Sequence, residues 1–322
     1  MPAPSKTLHW SDPAGKTHSG AAQETVGEYT VIACEACGFR HVLPLPTAGD
    51  LQSVYEQDYY TQEKPQYIAR HLQDQAWWDA VHAERYESLE HYLGGQAGTL
   101  LDVGAGPGLF LRLGRERGWC VTGIEPSKQA AQHCRQAWGL EIVNAFLDEH
   151  SAAALGAFDV VHMSEVLEHL PDPAATLALT RQLLKPGGLV CLVVPNDFNP
   201  VQLILRDQLG AQPWWVAPPH HLNYFSHESL SALLQRQGFE VLHMESTFPI
   251  DLFLLMGKNY IGQDEVGREV HALRKELDLN LLRAGAAPLR RQLYTAFGRL
   301  GLGREIVVYA RSTGPAPAVR EG

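Results

Sequence analysis

Cysteine, basic residues and long apolar runs are all scarce in this sequence. Five cysteines are scattered over 322 residues; an odd, scattered set argues against a disulfide framework, so we expect a reducing, cytoplasmic setting. The net charge of −10 disfavours nucleic acid and anionic membranes as partners, because both require a basic face. No stretch reaches eighteen consecutive apolar residues and the amino terminus has no signal-peptide core, so we expect neither a membrane span nor secretion.

Glycine, by contrast, is frequent, and its most informative cluster lies near residue 100. The apolar run 100–103 is typical of a buried parallel strand, and it stops at Gly104-Ala105-Gly106-Pro107-Gly108. A helical repeat of apolar residues follows, then a second strand over 120–124 that ends in Glu125. Strand, glycine loop, helix, strand and acid within about thirty residues are the pattern of one βαβ unit.

The spacing within this unit indicates what it binds. A glycine loop lets a ligand approach the backbone, and an acid 23 residues after Asp102 is placed to accept hydrogen bonds from ribose hydroxyls. The glycines follow GxGxG rather than GxGxxG, which disfavours an NAD-dependent oxidoreductase. Asp102 beside the loop would repel a pyrophosphate and suits a cationic ligand.

DVGAGPG and GIEPS resemble the first two motifs of class I S-adenosylmethionine-dependent methyltransferases. The likeness continues in order through FDVVHMSEVLEHLPDP (158–173), LLKPGGLVCLVVPN (183–196) and HHLNYFSHESLSALLQRQGFEV (220–241). It implies an α/β class I methyltransferase (Rossmann-like) fold with a seven-stranded, mostly parallel sheet, and S-adenosylmethionine as methyl donor. The residues it implies in cofactor binding are Asp102, Gly104, Ala105, Gly106, Gly108, Glu125, Pro126, Ser164 and Glu165.

Residues 1–63 are predicted to form a separate amino-terminal segment, and residues 64–322 the methyltransferase domain. The first 26 residues are rich in Pro, Ser, Gly, Thr and Ala without a period, which predicts a mobile arm. Within 251–301 we expect a helical insertion before the last strand, which either caps the acceptor pocket or forms a homodimer face. The tail 312–322 is predicted to be disordered.

The motif Cys34-x-x-Cys37-Gly38 between two strand-like runs is half of a zinc ribbon. Similar methyltransferases usually carry two such pairs, and structural zinc requires four ligands. The remaining candidates, His9, His18 and His41, are not well spaced. A metal-free hairpin is therefore the favoured interpretation, and zinc at Cys34 and Cys37 is the alternative.

Ser164 to His169 is predicted to be one helical turn, so that Glu165, Glu168 and His169 share a face. Three interpretations stay open. His169 is a general base oriented by Glu168; or the trio binds a divalent ion such as Mg²⁺, as in similar quinone-biosynthesis O-methyltransferases; or His169 only caps the turn. By the same resemblance, His221 of HLNYF faces the acceptor and is the second catalytic candidate, and Tyr59 and Tyr60 lie near the site.

The expected activity is methyl transfer to a small-molecule acceptor, for which the resemblance suggests a sugar or sugar nucleotide. One alternative is a quinone-type O-methyltransferase that uses a divalent metal, although Mg²⁺ is the less favoured interpretation of the trio. The other is a scaffold protein that binds S-adenosylmethionine without turnover. Retention of both the Asp102 loop and the ExxEH turn speaks against the scaffold.

Overall fold

Strands and helices alternate from residue 99 to residue 246 in the computed structural model, which describes residues 6–12, 15–46 and 66–314. Twelve strands lie in these ranges. They are β1 Thr7–Ser11, β2 Thr17–Val26, β3 Tyr29–Cys34, β4 Arg40–Leu43, β5 Thr99–Val103, β6 Cys120–Ile124, β7 Ile142–Val143, β8 Phe158–Ser164, β9 Leu184–Pro195, β10 Asn223–Tyr224, β11 Phe239–Ser246 and β12 Glu305–Ser312.

The helices of the same ranges include most of those that the sequence predicts after residue 66. They are α1 Tyr67–Gln73, α2 Gln75–Tyr92, α3 Leu109–Glu116, α4 Lys128–Trp138, α5 Glu149–Ala153, α6 Pro173–Leu183, α7 Pro200–Leu209, α8 His227–Arg236, α9 Leu252–Leu255, α10 Asp264–Arg283 and α11 Ala287–Arg299. The helical segment that precedes β5 is divided at Asp74 into α1 and α2. No helix in the described part of the chain is long and apolar enough to cross a membrane.

Seven strands form the main sheet in the order β11-β12-β9-β8-β5-β6-β7. The pairs from β9 to β7 are parallel, and β12 runs antiparallel to both of its neighbours. This is the predicted class I methyltransferase sheet, with the glycine loop after the central strand β5. Because β5 and β8 are central strands, most of their residues are apolar and buried. Their carboxyl ends form the edge where such folds bind ligands.

A second sheet, ordered β1-β2-β3-β4-β10, contains the amino-terminal segment. The prediction of a mobile arm is wrong for residues 7–11 and 17–26, which form the β1–β2 hairpin. His18 and Gly20, two positions apart in β2, are both buried, although the small polar residues around them obscure this alternation in the sequence. A Cβ on Gly20 would lie 2.0 Å from the Ala33 carbonyl oxygen. Only glycine fits at this close contact between two strands. The segment therefore has the composition of a loop although it forms a strand.

The chain end differs from its prediction in part. Strand β12 continues through Ser312, which is buried, and the Thr313 N–H donates to the Gly238 carbonyl at 2.9 Å. Disorder from residue 312 is therefore wrong for 312–314. The rest of that tail and the tyrosines at 59 and 60 lie outside the described residues.

Candidate functional site

The glycine loop after β5 forms the floor of the site. Gly104 and Gly106 have positive φ angles of 72° and 51°, which favour glycine. A Cβ on Gly104 would lie 2.8 Å from Val166 Cγ2. The loop is fixed to the neighbouring strand β6, because the Gly104 N–H donates to the Ile124 carbonyl at 2.8 Å. Backbone is thus presented to the cleft with no side chain in front of it.

Glu125 lies buried at the end of β6 and holds this loop. Its carboxylate accepts the Gly106 N–H at 2.9 Å and the Ser127 N–H at 2.8 Å. Burial raises the pKa of Glu125 to about 7, although both backbone donors oppose the rise. Each carboxylate oxygen keeps a second lone pair for a ligand.

Asp102, at the end of β5, belongs to a buried chain of polar groups that the sequence analysis missed. His162 on β8 stands directly beside it in the parallel register, and the His162 Nδ1–H donates to Asp102 Oδ1 at 2.7 Å. Arg85 of α2 donates to His162 Nε2 at 3.1 Å. Burial raises the pKa of Asp102 to about 8 and lowers the pKa of His162 well below its usual value, so both groups are neutral near pH 7.

A cleft opens above the loop, with about 870 Å³ of empty space including its open mouth. It brings together six of the nine residues predicted to bind a cofactor: Asp102, Gly104, Ala105, Gly106, Ser164 and Glu165. Glu125, Pro126 and Gly108 are absent from its lining, and Glu125 acts on it through the loop backbone. The opposite wall is aromatic and includes Tyr67, His71, Trp77, Trp78 and Phe248.

The predicted insertion closes this cleft. Four side chains of α10 and α11 line it: Arg274, Asp278, Arg290 and Tyr294. Asp278 is buried and accepts hydrogen bonds from Trp77 Nε1 at 2.8 Å, from Arg290 Nε at 2.8 Å and from the Tyr294 hydroxyl. Arg290 also pairs with Glu84 of α2. Of the two roles predicted for the insertion, capping the pocket is the one that these contacts match.

The ExxEH segment differs from the predicted helical turn. Only Leu167–His169 is helical, as one 3₁₀ turn, and Glu165 has a left-handed φ of 54°. Glu165 is therefore turned away from the face of Glu168 and His169, and it is exposed. The prediction that all three side chains share a helical face is wrong, because β8 continues to Ser164 and the chain needs a reversed residue before the turn can begin.

A different trio forms instead, from Glu168, His169 and His221. One ligand-type atom from each lies within 4.8 Å of the others, and the two imidazole rings meet edge to face at 5.1 Å. His169 Nδ1–H donates to the His220 carbonyl at 2.7 Å, while Glu168 Oε1 is 3.7 Å from His169 Nε2. The His220 backbone, rather than the predicted Glu168, therefore supplies the hydrogen bond that orients this ring.

Glu168 is the most unusual member of the trio. It is 1% exposed, and neither of its carboxyl oxygens has a hydrogen-bond partner in the described residues. Burial, with the charge of Glu165 second, raises the pKa of Glu168 well above its usual value. A buried acid without partners leaves a donor or a cation to be supplied by something else. The trio does not line the cleft, although Glu165, three residues before Glu168, does.

Asp197, just beyond β9, is a further residue that the sequence analysis missed. It is 2% exposed, and its Oδ2 lies 3.7 Å from His221 Nδ1 while Arg304 NH1 lies 3.3 Å from its Oδ1. The available signal was its place at the carboxyl end of a parallel strand, where the other site residues also lie. The neighbouring Phe198 has a left-handed φ of 59°.

The predicted metal pair lies in the small sheet. Cys34 and Cys37 are buried, unbridged thiols at the turn between β3 and β4. His18 and His41, whose spacing in the sequence was unfavourable, are both brought to them by the strands.

Comparisons with known proteins agree with this geometry. A family model described as "Methyltransferase domain" matches residues 69–244, more than half of the chain. The ubiquinone biosynthesis O-methyltransferase of Cronobacter sakazakii is 35% identical over 130 residues, 35% of this chain and 53% of that protein. The protein of the same name from Saccharophagus degradans is 39% identical over 154 residues, 45% of this chain and 64% of that protein. The matched part thus spans between about half and two thirds of these relatives.

Solved structures with similar architecture are more distant. The Burkholderia thailandensis 1,6-didemethyltoxoflavin-N1-methyltransferase, solved with 1,6-didemethyltoxoflavin and S-adenosylhomocysteine, has a TM-score of 0.47 and 17% identity, covering 91% of this chain and 99% of that one. An S-adenosylmethionine-dependent methyltransferase from Mesorhizobium loti has a TM-score of 0.42 and 20% identity, covering 67% and 91%. Both identities are too low to carry a residue's role to this chain.

Proposed function

The chain belongs to the methyltransferase-domain family, and we propose that it transfers a methyl group from S-adenosylmethionine to a planar, hydroxylated small molecule. The O-methyltransferase name of the curated relatives supports oxygen as the methylated atom. We also infer that the chain belongs to the subgroup with a ribbon-like amino-terminal segment and an ExxEH motif. The cytoplasm remains our proposal for its compartment.

The residues of the cleft fit S-adenosylmethionine. Gly104 and Gly106, both at positive φ, line the cleft with backbone. Glu125 keeps lone pairs for ribose hydroxyls, and the buried Asp102 suits the cationic amino-acid end of the ligand. Bound there, the cofactor would supply an electrophilic methyl group on a sulfonium ion. The protein's own contribution is to hold the acceptor in line with that methyl group and to exclude water.

The aromatic wall of the cleft is the feature from which we infer the class of acceptor. Trp78 lies between two histidine rings, stacked on His71 with centroids 5.2 Å apart and on His82 at 5.4 Å. Trp77 meets Trp78 at 4.6 Å. An aromatic wall of this kind supports an aromatic ring as acceptor over the polar ring of a sugar. We therefore favour the quinone-type, phenolic acceptor over the sugar or sugar nucleotide.

We propose His169 as the general base; it is not part of the cleft lining, but it lies four residues after Glu165, which is. Because its Nδ1–H donates to the His220 carbonyl, Nε2 is the atom that would take the acceptor's proton. As the new carbon–oxygen bond forms, the carbon–sulfur bond breaks and sulfur keeps the electron pair. The proton of the hydroxyl passes to His169 and then to solvent. His221 is the second candidate for this step.

A divalent ion at the trio is the competing proposal for the same step, and unpaired Glu168 favours it. Two imidazoles and one carboxylate suit zinc, manganese or iron better than Mg²⁺, which prefers an all-oxygen shell. The expected metal is therefore zinc, manganese or iron, and not the Mg²⁺ that the two carboxylates of the ExxEH motif suggest.

The decisive experiment offers methyl-labelled S-adenosylmethionine with a catechol-type phenol or with a sugar nucleotide, and identifies the product by mass spectrometry. We expect label on the phenolic oxygen only. Transfer to the sugar nucleotide would reverse the choice of acceptor. S-adenosylhomocysteine binding without transfer to either acceptor would leave the scaffold interpretation.

His169→Ala is expected to lower kcat by roughly two to four orders of magnitude, as loss of a general base does, with S-adenosylhomocysteine affinity within a few-fold. His220→Ala is the matched control, because it removes a neighbouring imidazole and keeps the carbonyl that His169 uses. If a metal is the agent, EDTA abolishes wild-type activity and a divalent ion restores it. Near-normal turnover of His169→Ala with EDTA harmless would move the base to His221.

A further inference from the structure

Four side chains from three strands and one turn of the small sheet converge in its interior. All four are buried, and one nitrogen or sulfur atom from each lies within 4.8 Å of the others: His18, Cys34, Cys37 and His41. We call this set the Cys₂His₂ cluster. It lies on the segment that was expected to be a mobile arm and a metal-free hairpin.

The distances within the Cys₂His₂ cluster match a tetrahedral site. His18 Nδ1 is 3.1 Å from His41 Nε2, 3.4 Å from Cys37 Sγ and 3.7 Å from Cys34 Sγ. Zinc–nitrogen bonds of about 2.0 Å and zinc–sulfur bonds of about 2.3 Å place tetrahedral ligand atoms roughly 3.3 to 3.8 Å apart. One ion of zinc's size therefore fits between these atoms with little movement.

The surroundings prepare these atoms as ligands. His41 Nδ1–H donates to the Val42 carbonyl at 2.9 Å, which leaves the Nε2 lone pair directed at the cluster, as the outer hydrogen bond of a metal-bound histidine does. Gly38 closes the turn with φ of 76°, and its N–H donates to the Cys34 carbonyl at 2.9 Å.

Charge points to the same ion. Two thiolates and two neutral imidazoles around Zn²⁺ sum to zero, which removes the cost of burying an isolated charge. Thiolate and imidazole ligands also select zinc over Mg²⁺ or Ca²⁺. The thiols are not joined to each other, since both cysteines are free. We propose that the Cys₂His₂ cluster binds one structural zinc ion.

The ion would fasten the small sheet to the candidate site. His41 stands opposite Asn223 in the β4–β10 register. The Asn223 side-chain amide donates to the carbonyls of Leu167 at 2.9 Å and Leu170 at 2.7 Å, and these residues flank Glu168. One strand pair therefore connects the proposed zinc ligands to the turn that carries Glu168 and His169.

Elemental analysis of wild-type protein, produced in zinc-supplemented medium and purified without chelator, tests the proposal. We expect about one zinc per chain. Cys37→Ser and His18→Ala should each lose it. The matched controls Cys120→Ser and His9→Ala change an exposed thiol and an exposed imidazole and should keep it. His169→Ala should also keep it, which separates this ion from a metal at the Glu168 trio.

A second measurement covers variants that fail to fold. Wild-type protein reconstituted with cobalt(II) should show thiolate-to-cobalt absorption bands, which the Glu168 trio cannot produce because it has no sulfur. Zinc removal should lower the melting temperature and increase hydrogen exchange in both 29–43 and 218–226. Zinc-free wild-type protein, a Cys34–Cys37 disulfide in fresh protein, or zinc retained by both cluster variants would each overturn the proposal.

Discussion

Asp102 and Glu125 are buried carboxyl groups whose pKa values burial raises to about 8 and about 7. Neither has a cationic side chain in hydrogen-bond contact in the described residues; Arg85 reaches Asp102 only through His162. A cationic ligand in the cleft would supply the missing positive charge and favour the ionised forms. Ligand binding and proton release at these two residues should therefore be coupled.

We predict that S-adenosylmethionine binds more tightly as the pH rises from about 6 to about 8, and then levels off. The raised pKa values of about 7 and about 8 mean that ionisation must accompany binding in this window. Each proton released changes the affinity by at most about tenfold per pH unit. Calorimetry in buffers of different ionisation enthalpy measures the released protons directly.

Asp102→Asn should weaken the binding and flatten its pH profile, while the exposed-site control Glu141→Gln should leave both unchanged. The ligand-free protein should show the opposite trend in stability. Since the folded state binds more protons than the unfolded state between pH 4 and 8, these groups lower the free energy of unfolding as the pH rises. Binding without proton release at pH 7 would contradict the assignment.

The sequence alone identified Asp102 and Glu125, because strand ends and glycine spacing fix where such acids lie. It did not identify His162 or Arg85. His162 is one position in an apolar strand, and its contact with Asp102 depends on the β5–β8 register. Arg85 reaches it from α2, 77 positions earlier in the chain. Partners of this kind are set by tertiary packing, which local sequence patterns do not encode.

At the scale of elements, the insertion helices depend on one buried carboxylate. Asp278 joins α10 to Trp77 of α2 and to Arg290 and Tyr294 of α11. Its removal would deprive buried Arg290 of one of its two carboxylate partners and leave the pair with Glu84, and breaking a buried ion pair costs roughly 3–5 kcal/mol. The helices that close the cleft would then lose their fixed position.

We therefore predict that Asp278→Ala lowers the melting temperature and raises KM for the acceptor, with S-adenosylhomocysteine affinity within a few-fold. Glu276→Ala is the matched control, since Glu276 is an exposed acid on the same helix. Thermal unfolding and steady-state kinetics measure the two effects. An unchanged acceptor KM in a folded Asp278→Ala protein would show that the insertion does not shape the acceptor site.

The predicted elements were most accurate where apolar periodicity is strong, as in β5, α3 and β8. The predictions failed where a single backbone angle determines the local structure, as at Glu165. Its left-handed conformation shortens the expected helical turn to one 3₁₀ turn. They also failed in the β1–β2 hairpin, where close packing of His18 and Gly20 against β3 outweighs a loop-like composition. Both errors concern residues of the candidate sites.

At the scale of the whole molecule, the small sheet and the main sheet are joined around the candidate site. Strand β10 belongs to the small sheet by pairing with β4, yet the Leu222 N–H beside it donates to the Glu168 carbonyl at 2.7 Å. Phe39 of the amino-terminal segment packs on Phe225, with ring centroids 5.1 Å apart. These contacts bring the amino-terminal segment into the packing around the methyltransferase domain.

Ligand binding in the cleft should therefore stabilise the folded chain, and S-adenosylhomocysteine should raise its melting temperature where NAD does not. At a ligand concentration 100 times Kd, mass action adds about 2.7 kcal/mol to the free energy of unfolding, or about 5 °C for a chain of this size. Gly106→Val should abolish the shift, because valine is strained at φ 51° and its side chain would occupy the backbone surface. Gly118→Val shares the strain, at φ 88°, but has no atom within 4 Å of its Cβ and lies outside the cleft. It should melt at a lower temperature and still respond to S-adenosylhomocysteine. A shift with NAD alone, or a full shift in Gly106→Val, would show that the glycine loop does not bind the methyl donor.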